Sequence, residues 1–150
     1  MWTLNSNARL ARWRAIRQNL SKIELEPALL QTAEIWATSP FMVLYLDPSS
    51  LSKWPDPWEL LVENYYCDIA RCLGIVYTIY FTEHKSELTP EIRIYQDLKQ
   101  RVLYSLVWFN EGKYILNWGP GEIVNKEHIE EKQLQLLYRY TSEDLKLDSY

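Results

Sequence analysis

The longest apolar run of the sequence, residues 73–81, limits most strongly how this chain can fold. Its nine residues are about half of the ~20 that a membrane-spanning helix needs, so the run must be buried inside a protein core. Residues 75–82 are rich in β-branched and aromatic side chains, which favours a buried strand. The sequence therefore predicts a core built around a strand at this position.

Composition indicates one folded domain over residues 1–150, a length that buries roughly two thirds of the surface of the unfolded chain. Seven Trp and eleven Tyr against only four Gly argue against disorder and flexible linkers. Two cysteines are too few for a disulfide scaffold, and the N-terminus lacks the apolar block of a signal peptide. We therefore expect a soluble protein of a reducing compartment that does not enter a membrane.

Helical patterns flank the apolar run on its N-terminal side. Residues 8–20 form an amphipathic pattern, and a second helix is expected from Pro27 to about Ser39. After a proline-rich loop, residues 58–73 carry a clear apolar stripe, and Gly74 is expected to end that helix.

Strand patterns follow the run. Residues 102–109 and 114–118 flank a turn and predict a hairpin, and Asn125 is expected to cap a last helix that reaches Tyr140. The predicted fold is α+β, with N-terminal helices, a central helix packed on a small antiparallel sheet, and a C-terminal helix. Four segments make up the single domain: a basic helical arm (1–22), a second helix and loop (23–57), the core helix and sheet (58–124), and a C-terminal helix and tail (125–150).

Charge is distributed unevenly along the chain. The net charge of −4 combines five cations and no acid before Glu24 with 11 cations and 20 acids in the remainder. A basic arm of charge +5 on an acidic body of charge −9 predicts that the arm docks onto a negative surface, which could be nucleic acid, a partner protein or the protein's own acidic surface. Nucleic acid is a poor candidate, because the body repels phosphates. The candidate partner-binding residues are Arg9, Arg12, Trp13, Arg14, Arg17 and Trp54.

Residue types that carry chemistry are sparse. Cys67 and Cys72 are five residues apart, so on one helix they point about 140° away from each other and cannot share a metal ion or form a bridge. In the middle of the predicted helix, Cys67 would lack the environment that favours a reactive thiolate. His84 and His128 are the only histidines, and no metal-ligand or phosphate-loop motif occurs, so neither a metal nor a cofactor is expected.

Two stretches carry a family resemblance. Residues 54–61 read Trp-Pro-Asp-Pro-Trp-Glu-Leu-Leu, and residues 66–75 read Tyr-Cys-Asp-Ile-Ala-Arg-Cys-Leu-Gly-Ile. The first resembles a Trp-Pro-x-Pro-Trp-Glu-Leu-Leu signature of small proteins from contractile-tail bacteriophages. The second, with the hairpin at 106–117, resembles the transglutaminase-like fold, in which a helix ending in Leu-Gly-Ile enters an antiparallel sheet. The resemblance covers roughly residues 9–120.

The transglutaminase-like resemblance also implies where catalytic residues should stand. A nucleophilic cysteine should open the core helix about fifteen residues before Gly74, where the sequence has Trp58 and Glu59. The histidine expected near the start of the hairpin is replaced around Leu103 and Tyr104, and only Asn117 is near the position of the third, orienting residue. The resemblance therefore implies a descendant without catalytic activity.

These observations predict a non-enzymatic structural component of a tailed-phage virion, a baseplate or neck adaptor that docks through its basic helix. Its partners would be other phage structural proteins in a homo- or hetero-oligomeric assembly, and it would occupy the host cytoplasm before assembly. One alternative is a cysteine-dependent amidase, peptidase or acyl transferase that uses Cys67 with His84 or His128. Another is a phage assembly chaperone that is absent from the mature particle.

Overall fold

The computed structural model describes residues 1–43 and 45–150, so Leu44, in the apolar stretch 41–46, lies outside the described residues. Five α-helices and five strands are formed in this part of the chain. The helices are α1 (Ser6–Leu20), α2 (Leu25–Ala37), α3 (Pro57–Val62), α4 (Asp68–Tyr80) and α5 (Lys126–Glu130). The strands are β1 (Pro90–Asp97), β2 (Val102–Phe109), β3 (Tyr114–Leu116), β4 (Ile123–Val124) and β5 (Gln135–Thr141).

The strands form one antiparallel sheet in the order β4-β3-β2-β1-β5, and α4 packs against it. Side chains of β2 alternate between two apolar clusters, with Val107 and Phe109 in the main core that includes α4 and Trp108 in the smaller cluster. Helices α1 and α2 contact α4 as well. The predicted α+β fold with a central helix on a small antiparallel sheet is confirmed.

The central helix is shifted relative to its prediction. The predicted helix 58–73 is interrupted after Val62, and the predicted strand 75–82 is mostly the second half of α4. Residues 72–79 are all buried, so this segment shows no polar face and its pattern resembles that of a buried strand. Gly74 therefore lies inside α4 and does not end a helix.

The C-terminal helix is also shorter than predicted. Asn125 caps α5 as expected, its side chain accepting a hydrogen bond from the N–H of His128 at 3.1 Å. The helix ends at Glu130, and β5 then pairs with β1 at the edge of the sheet. Long-range pairing decides the conformation of residues 135–141, which local propensity assigns to a helix. No helix among the described residues is long and apolar enough to span a membrane.

Candidate active site

Cys67 lies at the start of the central helix. Its backbone is extended (φ −84°, ψ 178°), and its carbonyl accepts the N–H of Arg71 at 2.9 Å, so Cys67 is the N-cap of α4. The prediction that Cys67 lies in the middle of a helix is wrong. So is the prediction that no cysteine opens the core helix, because Cys67 does so seven residues before Gly74 and not fifteen.

A cleft of about 290 Å³ opens beside Cys67. Its three walls are the loop residues 41–43 and 45–48, the first residues of α4, and the N-terminal half of β2 with the turn before it. Cys67 itself is only 3% exposed. The lining residues are Phe41, Val43, Leu46, Pro48, Cys67, Asp68, Ile69, Arg101, Leu103 and Ser105.

Arg9 fixes the chain segment that leads into Cys67. Its guanidinium donates hydrogen bonds to the carbonyls of Leu61, Val62 and Glu63 at 2.9, 3.2 and 3.1 Å. These carbonyls belong to the end of α3, where the helix leaves its last acceptors unpaired. Arg9 therefore stabilises the end of α3 at Val62 and the conformation of the segment that follows it, residues 63–67.

The loop wall of the cleft is anchored at its base. The N–H of Tyr66 donates to the carbonyl of Pro40 at 2.8 Å, and the N–H of Met42 donates to the carbonyl of Tyr66 at 3.0 Å. Arg71 on α4 donates to the Ser39 carbonyl at 2.7 Å and lies over the ring of Phe41 at 4.9 Å. The apolar wall next to Cys67 is therefore tied directly to α4.

Asp68 is the carboxylate of the cleft. Burial raises the pKa of the Asp68 carboxyl, and the positive charge of Arg71 opposes that shift. Nearby, burial and a hydrogen bond to Glu63 raise the pKa of Tyr45, and a negative charge on Cys67 would raise it further. Tyr45 therefore stays protonated close to the thiol, while Asp68 is a proton acceptor of raised basicity.

Neither histidine lies in the cleft. His84 follows the C-terminal end of α4, where its ring nitrogens contact the Leu20 carbonyl at 3.0 Å and Glu87 at 3.1 Å. The length of α4, about 20 Å at 1.5 Å per residue, separates it from Cys67. His128 lies on α5 against the ring of Trp118. The predicted pairing of Cys67 with His84 or His128 is therefore not formed in the described part of the chain.

The strand positions facing α4 carry other residues. Leu103 and Ser105 line the cleft, whereas Tyr104 stacks on Trp118 in the second cluster. Asn117 donates to the Ser105 carbonyl at 3.0 Å and to the sulfur of Cys72 at 3.5 Å. Burial raises the pKa of Cys72 well above that of an ordinary thiol, so Cys72 is an inert core residue, as predicted.

The candidate partner-binding residues differ widely in exposure. Arg9 and Trp13 are buried, and Trp13 donates to the Thr78 hydroxyl at 2.9 Å. Arg17 is half-buried on the Trp13 ring, and Trp54 donates to the Asp47 carbonyl at 2.9 Å. Arg12 and Arg14 are exposed. Partner binding by the arm stays a prediction, and these two arginines are its accessible members.

Sequence reasoning missed the position of Cys67 and the proximity of Arg101 to it. One signal for the first was available: Asp68 follows Cys67 directly, and acidic residues are typical of a first helical turn. No comparable signal marked Arg101, because its place beside the cleft depends on the turn between β1 and β2.

Comparison with known proteins gives a fold relationship. Solved structures of Legionella pneumophila LapG, one of them calcium-bound and one EGTA-treated, are similar to this chain, each with a TM-score of 0.72 and 14% sequence identity. The alignments cover 91% of this chain and 76, 75 and 74% of those chains, in that order. No protein-family model and no curated protein matches the sequence. At this identity the similarity establishes the fold.

The comparison also corrects the expected function. LapG is a transglutaminase-like cysteine protease, and the bacteriophage resemblance receives no support from it. The prediction of a non-enzymatic phage structural protein is therefore wrong, because the solved structures that share this fold belong to a protease. The alternative of a cysteine-dependent peptidase agrees better with these structures.

Proposed function

We propose that this chain is a cysteine-dependent peptidase or acyl transferase whose nucleophile is Cys67. The observation that carries the proposal is the position of Cys67 at the N-terminus of α4, lining a cleft between helix and sheet. The transglutaminase-like resemblance also implies a nucleophile that opens the core helix, although about fifteen residues before Gly74, whereas Cys67 is seven residues before it. The fold similarity to LapG supports the same class of chemistry.

The proposed reaction is acyl transfer through a thioester. The Cys67 sulfur attacks a substrate carbonyl carbon, the carbon–nitrogen bond breaks, and the amine leaves with the proton that the thiol gave up. Water then attacks the thioester, releasing a carboxylic acid and restoring the thiol. The first N–H groups of α4, including those of Asp68 and Ile69, have no acceptor within the helix and can stabilise the oxyanion.

Asp68 is the proposed proton carrier. It lines the same cleft and directly follows Cys67, whereas both histidines lie elsewhere. An ordinary carboxylate is a much weaker base than a thiolate. Because burial raises the pKa of the Asp68 carboxyl, the difference between its pKa and that of a thiol becomes smaller. The carboxylate accepts the thiol proton and returns it to the leaving amine.

No step of the proposed reaction uses a calcium ion. One of the similar LapG structures is calcium-bound. Within residues 1–43 and 45–150 of this chain, however, no three His, Cys, Asp or Glu side chains come together as ion ligands.

Turnover of an activated peptide ester should depend on Cys67. We expect Cys67→Ala to reduce hydrolysis of a peptide p-nitrophenyl ester to the level without protein, because no other described thiol lines the cleft. Cys72→Ala is the matched control, since Cys72 is fully buried and should leave the rate within about twofold of the parent. Circular dichroism confirms that both variants are folded. Equal rates for both variants would contradict the proposal.

The pH profile should report Asp68. Since the carboxylate must be ionised to accept a proton, the rate should fall as pH drops through the raised pKa of Asp68. We expect Asp68→Asn to lower kcat on the order of 10²-fold, within the range usual for general acid–base groups, and to abolish this acidic limb. Measuring the rate of ester hydrolysis from pH 4 to 9 in the parent and in Asp68→Asn tests both effects. An unchanged acidic limb in Asp68→Asn would assign the proton transfer to another group.

A further inference from the structure

Arg101 occupies a backbone conformation that its side chain does not favour. It lies at the turn between β1 and β2 with φ +54°, in the left-handed region where a residue other than glycine costs roughly 1 kcal/mol. The turn itself is organised by Asp97, whose carboxylate accepts the N–H groups of Lys99 and Gln100 at 2.9 and 3.2 Å. Nothing in the turn requires an arginine here.

The guanidinium of Arg101 has no charged partner among the described residues. The ion pairs of residues 1–43 and 45–150 involve His84, Arg93 and Arg139. Arg101 instead lines the Cys67 cleft, where it is the one cation among the lining residues. Strained residues concentrate at functional sites, because a side chain needed there can outweigh a local conformational cost.

Most of the other residues that line the cleft are apolar, with Asp68 and Ser105 as the polar exceptions, and the apolar ones at its mouth are exposed. Val43 is 69% exposed and Phe41 52%, and Leu103 continues this surface on the strand side. Apolar surface of this kind beside a groove is typical of a binding site for a ligand with apolar groups. A ligand that satisfies both features has apolar side chains next to a negative charge.

We propose that Arg101 is a specificity residue that binds an acidic side chain of an extended peptide, whose apolar neighbours lie on Phe41, Val43 and Leu103. The proposal rests on the proposed function, since it assigns the substrate class of the Cys67 cleft. Arginine suits this task because its guanidinium forms paired, charge-assisted hydrogen bonds with a carboxylate. Arg101 is exposed, and a contact of this kind at an exposed site changes affinity severalfold at most.

Binding can be measured without any chemistry in the full chain carrying Cys67→Ala. The probes are two matched pools of N-acetylated, C-amidated hexapeptides with Val, Leu or Phe at every position except the third, which is Asp in one pool and Asn in the other. Blocked termini leave the Asp side chain as the peptides' one charge. We expect the Asp pool to bind about three- to tenfold more tightly at low salt, with the difference shrinking at 0.5 M NaCl.

Arg101→Gly separates recognition from folding. In the Cys67→Ala background this substitution should bring the Asp-to-Asn preference to about one, while the melting temperature stays equal or rises because the strain is relieved. Gln133→Gly is the matched control: Gln133 has the same φ of +54° but does not line the cleft, so the same thermal effect should leave the preference intact.

Either of two results would overturn the inference: equal binding of both pools by the parent, or an unchanged Asp preference in Arg101→Gly. Because the assay uses Cys67→Ala, it remains informative if ester turnover fails. Conversely, turnover that depends on Cys67 without an Asp preference would retain the proposed function and remove this assignment.

Discussion

Replacing Arg9 with alanine is expected to lower the free energy of unfolding by about 2–4 kcal/mol, because several carbonyl acceptors lose their donor and the packed stem of the side chain is removed. The Arg9 side chain is 3% exposed and supplies donors to the carbonyls of Leu61, Val62 and Glu63. Without it, the buried hydrogen bond to the Leu61 carbonyl and the partly buried ones to Val62 and Glu63 are lost. Urea denaturation followed by tryptophan fluorescence measures this change.

Arg12→Ala is the matched control for Arg9. Arg12 lies on the same helix and carries the same charge, but it is exposed. We expect it to change stability by no more than about 0.5 kcal/mol. Similar effects of the two substitutions would contradict the assigned role of Arg9 and would favour a purely electrostatic role for the arm.

Gly74→Ala is expected to destabilise the protein by about 2–4 kcal/mol, although alanine is the better helix former by about 1 kcal/mol. A methyl group at Gly74 would sit against the ring of Trp36, inside van der Waals distance. The ring cannot move aside freely, because its N–H donates to the Thr78 hydroxyl at 3.0 Å and its edges pack on Trp2 and Tyr66. Thermal and urea denaturation test this prediction.

A double-mutant cycle can show whether contact with Trp36, and not a general helix defect, causes the destabilisation by Gly74→Ala. Trp36→Phe removes part of the ring that a methyl group at position 74 would meet, so Gly74→Ala should cost at least 1 kcal/mol less in that background. Additive effects of the two substitutions would show that contact with Trp36 is not the reason for the glycine. A stabilised Gly74→Ala protein would contradict the close packing of α2 on α4.

The sequence allowed prediction of those elements that local chemistry determines. Asp56 and Pro57 mark the start of α3, Asn125 that of α5, and the hairpin around residue 111 was expected from alternation and turn residues. The interruption between α3 and α4 was missed, because it depends on Arg9 and on Tyr66 pairing with Pro40, contacts that are remote in sequence. The helical second half of α4 was missed because every face of it is buried.

The position of Cys67 was mispredicted for the same reason. Moving the helix start to residue 68 turns Cys67 from a mid-helix residue into an N-cap beside a cleft. The residues once assigned to partner binding changed role as well, since Arg9 and Trp13 stabilise the interior. Net charge along a segment predicts attraction, but it does not show which arginines remain exposed.

The most direct test of the account is detection of an acyl group on Cys67. The full chain is mixed with a peptide p-nitrophenyl ester, quenched with acid within seconds to minutes, and analysed by intact-protein and peptide mass spectrometry. We expect one acyl group on Cys67, bound as a thioester that forms and then decays with turnover. No acyl group is expected on Cys72, and no adduct is expected in Cys67→Ala. Hydrolysis by the parent without any acyl-Cys67, or an equal rate in Cys67→Ala, would contradict it.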